Sequence, residues 1–354
     1  DYSDAICSGL AEMIKNGQVS TQDARHLVHA STVATNTVIT RTGAKVGLIT
    51  TEGFRDVLEI GRLRYPRLYD MAFEKPLPLV PRYLRMGVTE RVDYRGNVVT
   101  ELDWTNVKTA VNHLLEHNVE SIAICLLNSY ANPIHEQLIA DYLSTFAPQI
   151  TLSVSYQVLP EIKEYERTST TVINAYIKPV VARYISNLEK RLAGMGLDAP
   201  ITVMQSSGGT VRTAFVKERP VYAIESGPAA GAVGAATVGR HLGIDNIIAF
   251  DMGGTTAKTC LIENGTPRLT SEYEVGGELN IGHRLLGGGG YVVRVPAIDL
   301  AEIGAGGGSI AWIDRGGVLR VGPQSAGADP GPACYQRGGA AATVTDANVV
   351  LGYL

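Results

Sequence analysis

The chain has 354 residues, with 31 Lys and Arg against 35 Asp and Glu, for a formal charge of −4. Its 45% hydrophobic and 19% charged content is globular and long enough for a sizeable core, which excludes extended disorder. No run of 18 apolar residues occurs, the opening DYSDAICSGLAEMIKNG is amphipathic and acidic, and the charge is balanced; a membrane span, a secretory signal and a nucleic-acid footprint are therefore not expected.

In chain order, VATNTVI (33–39) and VGLIT (46–50) read as short β-branched strands flanking a turn at Gly43. The proline-punctuated stretch from Pro66 to Pro81 reads as a loop or insertion. TNVKTAVNHLLEHN (105–118) has helical spacing, SIAICLL (121–127) reads as a buried strand, and ANPIHEQLIADYLSTF (131–146) as a helix with Pro133 near its start. ITLSVS (150–155) is a further strand. Residues 160–196 form a long helical stretch, kinked near Pro179 and stopped by Gly194 and Gly196. This alternation predicts α/β architecture with a mainly parallel sheet.

A second unit is expected from about Ala199, dividing the chain into 1–198 and 199–354. ITVMQSSGG (201–209) reads as a strand entering a glycine turn, and SGPAAGAVGAATVGRHLG (226–243) as a helix of small residues that permits close packing. Residues 246–269 read as strand, glycine turn, strand, Asn-Gly turn, strand. Of the 39 glycines, 18 fall between Gly276 and Gly339, which suggests loops shaped around a ligand.

Two motifs carry chemistry. In Phe250-Asp251-Met252-Gly253-Gly254-Thr255-Thr256 an aspartate at a strand end precedes two glycines and two hydroxyls. Bare glycine backbone admits phosphate oxygens, the threonines add hydroxyl hydrogen bonds, and Asp251 can hold Mg²⁺ through water. The motif is neither a P-loop nor a Rossmann fingerprint, and a plain hairpin is its ordinary alternative. The second motif, Glu302-Ile303-Gly304-Ala305-Gly306-Gly307-Gly308-Ser309, lies before the apolar IAWI and can admit a base or phosphate against its backbone.

Other features read as ordinary structure. Cys7, Cys125, Cys260 and Cys334 are far apart with no CxxC spacing, which opposes a disulfide framework and fits a reducing cytoplasm. Cys125 and Cys260 sit in apolar runs as small buried hydrophobes. His113 and His117 share a helix face without HExxH or a third ligand, so an exposed face is favoured over a metal site. Glu164, Glu166 and Arg167 read as local ion pairs on a helix, and RLRYPR (62–67) is too short for a nucleic-acid site.

HASTVATNTVITRTGAKVGLITTEGFRDVLEIGR (29–62), LPEIKEYERTSTTVINAYIKPV (159–180), MQSSGG (204–209), ESGPAAGAVGAA (225–236), FDMGGTTAK (250–258), VGPQSAGADPGPACYQRGG (321–339) and TVTDANVVLGYL (343–354) occur in this order. Together they closely resemble the hydantoinase A / 5-oxoprolinase family, from about residue 4 to the last residue. The resemblance implies an actin-like ATPase (ribonuclease H-like) two-lobe fold, related to sugar kinases and to the ATPase domain of heat-shock chaperones. It also implies that DMGGTT is a second phosphate-binding hairpin and that GAGGGS belongs to the nucleotide cleft. Three departures stand out. The first phosphate hairpin of the type DIGGTFTD has no counterpart, the chain opens on Asp1 and stops at TDANVVLGYL as a piece of a longer protein would, and Thr256-Ala257-Lys258 replaces the usual Ser-Thr-Asp.

By this resemblance the chain is expected to be the ATP-using subunit of a cytoplasmic, ATP-dependent cyclic amidase acting on a hydantoin or lactam such as oxoproline. Its cofactors are ATP and Mg²⁺, and a hydantoinase B-type subunit or fused domain completes the hydrolytic site; neither nucleic acid nor membrane is a partner. Phosphate and Mg²⁺ handling falls to Asp251, Gly253, Gly254, Thr255 and Thr256, with Lys258 meeting a phosphate or folding back to Asp251. Nucleotide contacts fall to Gly304, Gly306, Gly307, Gly308 and Ser309, then Gly227 and Ala230. Glu225 is a candidate base or water-orienting group, or a capping carboxylate. His29 is a candidate for the substrate, or a structural histidine. Asp329 and Asp346 are candidate cleft groups, or turn and cap residues. The alternatives are the corresponding subunit of an acetone- or acetophenone-type ketone carboxylase, kept open by the glycine-rich stretch 277–296, and a nucleotide-responsive scaffold without turnover.

Overall fold

The computed structural model describes residues 3–62, 74–254, 256–276, 289–303 and 305–354. Its centre is a four-stranded, all-parallel sheet in the order Arg85–Val88, Val46–Thr51, Ser121–Cys125, Thr151–Val154. Every residue of Val46–Thr51 and of Ser121–Cys125 is buried, as the continuous apolar runs predict for strands covered on both faces. The helix Trp104–Glu116 packs here through Val107, Ala110, Val111 and Leu114, one stripe at helical spacing. Its start is fixed by Asp103, whose carboxylate accepts from Thr105 N (2.8 Å) and Asn106 N (3.3 Å). The helix Ile134–Phe146 follows with Pro133 at its N-cap.

The long helix Glu164–Gly194 runs through the core, with Pro179 accommodated inside it. Every residue from Glu166 to Ile177 is buried, although many are polar. Several of these groups find partners across the core: Ser169 Oγ donates to Val292 O (2.7 Å) and Asn174 Nδ2 to Ser153 Oγ (3.0 Å). The helix therefore ties the parallel sheet to the strand pair Tyr273–Val275 and Tyr291–Val293.

One predicted element changes type. VATNTVI is the helix Val33–Ile39 and not a strand. Thr37 and Thr40 hydroxyls donate to Val33 O (2.7 Å) and Asn36 O (2.8 Å), one turn back, so the β-branched residues serve the helix backbone. Val33, Ala34 and Val38 join the main core, which favours a helix despite the strand-like composition.

Strand Leu27–His29 pairs in parallel with Ile201–Met204, which pairs antiparallel with Thr210–Arg212; this sheet links the two sides of residue 198. Beyond it, Ser226–Leu242 is the expected helix, ending at Gly243 with φ 69°. A Cβ on Gly239 would lie 2.8 Å from Ile244 O, so the small-residue face is used for close packing by the chain's own next turn and strand. Ile247–Met252 and Ala257–Glu263 form an antiparallel hairpin, with Leu300–Ile303 on the second strand's other side. Asn264 (φ 52°) and Gly265 (φ 72°) make the expected tight turn into Thr266–Pro267. Among the described residues no helix is long and apolar enough to cross a membrane.

Candidate nucleotide site

The hairpin register sets Asp251 opposite Lys258 and Met252 opposite Ala257, leaving Gly253 and Gly254 at the exposed tip. Gly253 N donates to Thr256 O (2.9 Å), so this amide closes the turn. Around the Cβ position of Gly254 there is open space. Thr256 is half-buried beside it, while Thr255 lies outside the described residues.

The second glycine motif docks onto this turn. Gly307 N donates to Gly253 O (2.9 Å) and Gly308 N to Gly254 O (2.7 Å). A Cβ on Gly308 would stand 3.0 Å from Gly254 O and 2.9 Å from Ser325 Oγ, which leaves no room for a side chain. Ser309 closes the loop on itself, its N donating to Gly306 O (3.0 Å) and its Oγ accepting from Gly306 N (2.9 Å). Gly306, Gly308 and Ser309 are buried. They hold the turn from behind, and the surface open to a ligand is Gly253–Gly254 with half-buried Gly307 at its edge. Gly304 lies outside the described residues, as do residues 277–288 of the glycine-rich stretch.

Charge gathers on the second hairpin strand. Lys258 Nζ is ion-paired with Glu225 and lies 3.8 Å from Glu302 Oε1, and so does not fold back to Asp251. Lys258 faces Asp251 on one neighbour and Glu302 on the other, which aligns the three across the sheet. Burial pushes the Glu302 carboxyl above its usual range, the Lys258 ammonium opposes that shift, and Glu225 adds to it. Glu225 itself sits at φ 59° immediately before the helix Ser226–Leu242, and its side chain makes no cap hydrogen bond. It is the ion-pair partner of Lys258.

The remaining motifs meet beside Glu225. Glu225 N donates to Thr35 Oγ1 (3.2 Å), Ser226 Oγ donates to Ser31 O (2.8 Å), and Ser31 N donates to Ser226 Oγ (3.1 Å). The Cβ position of Gly227 is 3.6 Å from Thr32 Cγ2, and Ala230 is half-buried further along the helix. His29 shares a 2.9 Å hydrogen bond with Tyr184 Oη on the long helix. Burial holds the His29 imidazole below its ordinary value and pushes the Tyr184 phenol up to about 12, so both are neutral near pH 7.

Asp346 forms a capping box with Thr343 and also accepts from Cys334 N (2.7 Å) and Ala333 N (3.3 Å). Burial opposes its ionisation, and the hydrogen bonds from Cys334 and Thr343 outweigh it, holding the carboxyl well below the usual range. Its cap reading holds. Asp329 is exposed and joins Pro330 through a cis peptide. Thr345, which sequence reasoning did not select, donates to Gly307 O from its N (2.8 Å) and its Oγ1 (2.9 Å). The pattern Thr343-x-x-Asp346 was the available signal that a helix start abuts the glycine loop.

The expected ion pairs within KEYERTST are not made. Glu166 pairs with Arg62, which also grips Glu272 (2.5 Å), while Arg294 joins Glu272 (3.3 Å) to Glu161 (2.5 Å). Arg167 turns into the protein toward Ser129 and Ser155. The His113 and His117 rings lie 4.3 Å apart, tilted by 37°, and bond Tyr83 O and His113 O respectively. No group of three or more His, Cys, Asp or Glu poised for a metal occurs among the described residues. Asp251, a single exposed carboxylate, suits Mg²⁺ held mainly through water and phosphate. A cavity of about 130 Å³ lies elsewhere, between Arg62, Lys75, Tyr165, Glu274 and Tyr291, and none of its lining belongs to the glycine hairpin.

Residues 1–146 match the family model described as hydantoinase/oxoprolinase N-terminal region, and residues 167–354 match the one described as hydantoinase/oxoprolinase. The chain belongs to the hydantoinase/oxoprolinase family. It is 48% identical to an uncharacterized protein of Methanocaldococcus jannaschii, over 98% of this chain and 51% of that one. It is 38% identical to caprolactamase subunit alpha of Pseudomonas jessenii, over 99% of this chain and 49% of the relative. The crystal structure of that ATP-dependent caprolactamase superposes with a TM-score of 0.79 over 99% of this chain and 50% of that one. The nucleotide-free structure of an ATP-dependent acetone carboxylase gives 0.74 at 30% identity, over 92% and 46%. The chain thus spans about half the length of the relatives it matches, and its mixed α/β fold is theirs.

Proposed function

We propose that the chain is the ATP-using part of a cytoplasmic cyclic amidase acting on a hydantoin or lactam, built on an actin-like two-lobe ATPase fold with regions 1–198 and 199–354. The observation that carries nucleotide use is the backbone interlock of Gly307 and Gly308 with Gly253 and Gly254, which holds a side-chain-free turn open at Gly254. A phosphate needs such a surface, because backbone can approach its oxygens without obstruction. ATP, when bound, supplies the phosphoryl group that makes the ring amide oxygen a leaving group. The chain's part is to position and to balance charge. Asp251 would hold Mg²⁺ through water, Gly254 and Thr256 would contact phosphate oxygens, and Lys258, anchored by Glu225, would set the charge beneath them. A hydantoinase B-type subunit or fused domain completes the hydrolytic site.

The amidase reading is supported by the caprolactamase likeness, which is greater in identity and in TM-score than that to the acetone carboxylase. The test is phosphate release from Mg-ATP by the full-length protein with its co-purifying partner. Stimulation by cyclic amides alone is expected. Stimulation requiring ketone and bicarbonate together would move the assignment to a carboxylase subunit, and ATP binding without stimulation by either panel would make it a nucleotide-responsive scaffold.

A further inference from the structure

In the parallel sheet, the chain leaves Val46–Thr51 for Arg85–Val88 on one side and returns as Ser121–Cys125 on the other. From there it continues outward to Thr151–Val154. The strand order therefore reverses between the carboxyl ends of Val46–Thr51 and Ser121–Cys125, where open α/β sheets leave a crevice for ligands. A small cleft lies at that point, lined by Thr50, Phe54, Cys125, Glu164, Arg167 and Thr168. Its free space of about 10 Å³ is the size of one water-sized centre.

Arg167 in that lining is 1% exposed, yet its Nε has no hydrogen-bond partner. Its Nη1 donates to Ser129 Oγ and, at 3.4 Å, to Ser155 Oγ, and its guanidinium lies 5.6 Å from the Tyr130 ring centre. The buried carboxylate of Glu136 is filled by Leu126 N (2.8 Å), Ser155 Oγ (2.7 Å) and Tyr156 N (3.0 Å), so it reaches Arg167 only through Ser155. A buried guanidinium donor without an acceptor is costly unless a ligand or a bound water meets it. Beside it, the Thr168 hydroxyl has only the soft Cys125 thiol at 3.2 Å, and the 31-residue helix starts here with its positive end at the cleft.

We propose that this cleft binds a small, singly charged oxyanion, a carboxylate or bicarbonate, with one oxygen accepting from Arg167 Nε and Thr168 Oγ1. The base has room for one ligand oxygen, and because the cost of desolvating an ion rises steeply with its charge, a singly charged anion is favoured over a doubly charged phosphate; Arg167 must outweigh Glu164, which also lines the cleft. The site stands apart from the nucleotide reading, since no residue of the glycine hairpin lines it.

The test is ¹³C line broadening of labelled acetate and of labelled bicarbonate by the full-length protein without nucleotide, at ionic strength fixed with chloride. Saturable broadening is expected, displaced by the unlabelled anion and not by phosphate. Broadening of acetate alone assigns a carboxylate, and of bicarbonate alone assigns bicarbonate. Thr168→Val and Arg167→Lys should each weaken binding roughly tenfold. Denaturation in chloride verifies their folding; if Arg167→Lys does not fold, Thr168→Val and the wild-type competition decide. No saturable broadening of either anion, equal displacement by phosphate, or unchanged affinity in Thr168→Val overturns the proposal.

Discussion

The ammonium of Lys258 closes on the carboxylate of Glu225 and not on Asp251, which faces it directly across the hairpin. The two paired side chains are only 10% and 12% exposed, so the pair is poorly screened and joins the helix start at Ser226 to the strand beneath the glycine turn. Lys258→Met would leave Glu225 and Glu302 facing each other without a cation. The expected cost is about 3 kcal/mol, the lower end of what breaking a buried pair costs, because solvent still reaches Glu302. Denaturant midpoints measure it, and adding Glu225→Gln to the Lys258→Met variant should recover part of the loss. A cost below about 0.5 kcal/mol, typical of an exposed pair, would show that the contact holds nothing together.

The glycine interlock makes a sharper prediction. Gly308→Ala places a methyl against Gly254 O and Ser325 Oγ, pushing the two glycine loops apart. The kcat/KM for ATP should fall by roughly tenfold or more, since small displacements of a positioning element are costly. Gly194→Ala is the matched control: it ends the long helix, and its Cβ would meet nothing within 4 Å. That variant should keep full ATP use and gain about 0.4–1 kcal/mol in stability. Equal ATP kinetics in both variants would remove the glycine loops from nucleotide handling.

The fold was legible wherever local signals agreed. The helical spacing of TNVKTAVNHLLEHN, the buried run SIAIC and the Asn264-Gly265 turn each specify their element from a few neighbouring residues. Val33–Ile39 was not legible as a helix, because its hydroxyl-to-carbonyl bonds and its packing on the core are invisible to strand propensity. The site divides in the same way. DMGG and GAGGGS are each visible as motifs, but their mutual docking is a long-range contact that no periodicity encodes. Arg167 was read as part of a local ion pair with its acidic neighbours on the helix, and only the tertiary structure turns it inward while Glu166 takes Arg62.

Asp346 discriminates a cap from a ligand. Its carboxylate accepts from Thr343 N (2.8 Å), Thr343 Oγ1 (2.7 Å) and Cys334 N (2.7 Å). Asp346→Ala should cost about 1–2 kcal/mol through the lost cap, with the KM for the organic substrate unchanged in the folded enzyme. A raised substrate KM at unchanged denaturant midpoint would make Asp346 a ligand-binding group instead.

His29 ties stability to pH. Burial against Tyr184 holds its pKa below the ordinary value of 6.5, so the native state binds this proton less readily than the unfolded chain does. Its contribution is fully present above about pH 6.5 and is lost as pH falls through the depressed native value. The limiting slope for one proton is about 1.4 kcal/mol per pH unit. In His29→Gln, which retains a polar group for Tyr184, that slope should vanish, so the stability curves of wild type and variant run parallel above about pH 7.5 and converge below about pH 6. Urea denaturation across that range measures the difference directly, free of the slopes the other histidines impose on both proteins. Curves that stay parallel down to about pH 5 would mean that the buried imidazole takes up its proton as readily as in the unfolded chain, and that the Tyr184 contact does not hold it neutral.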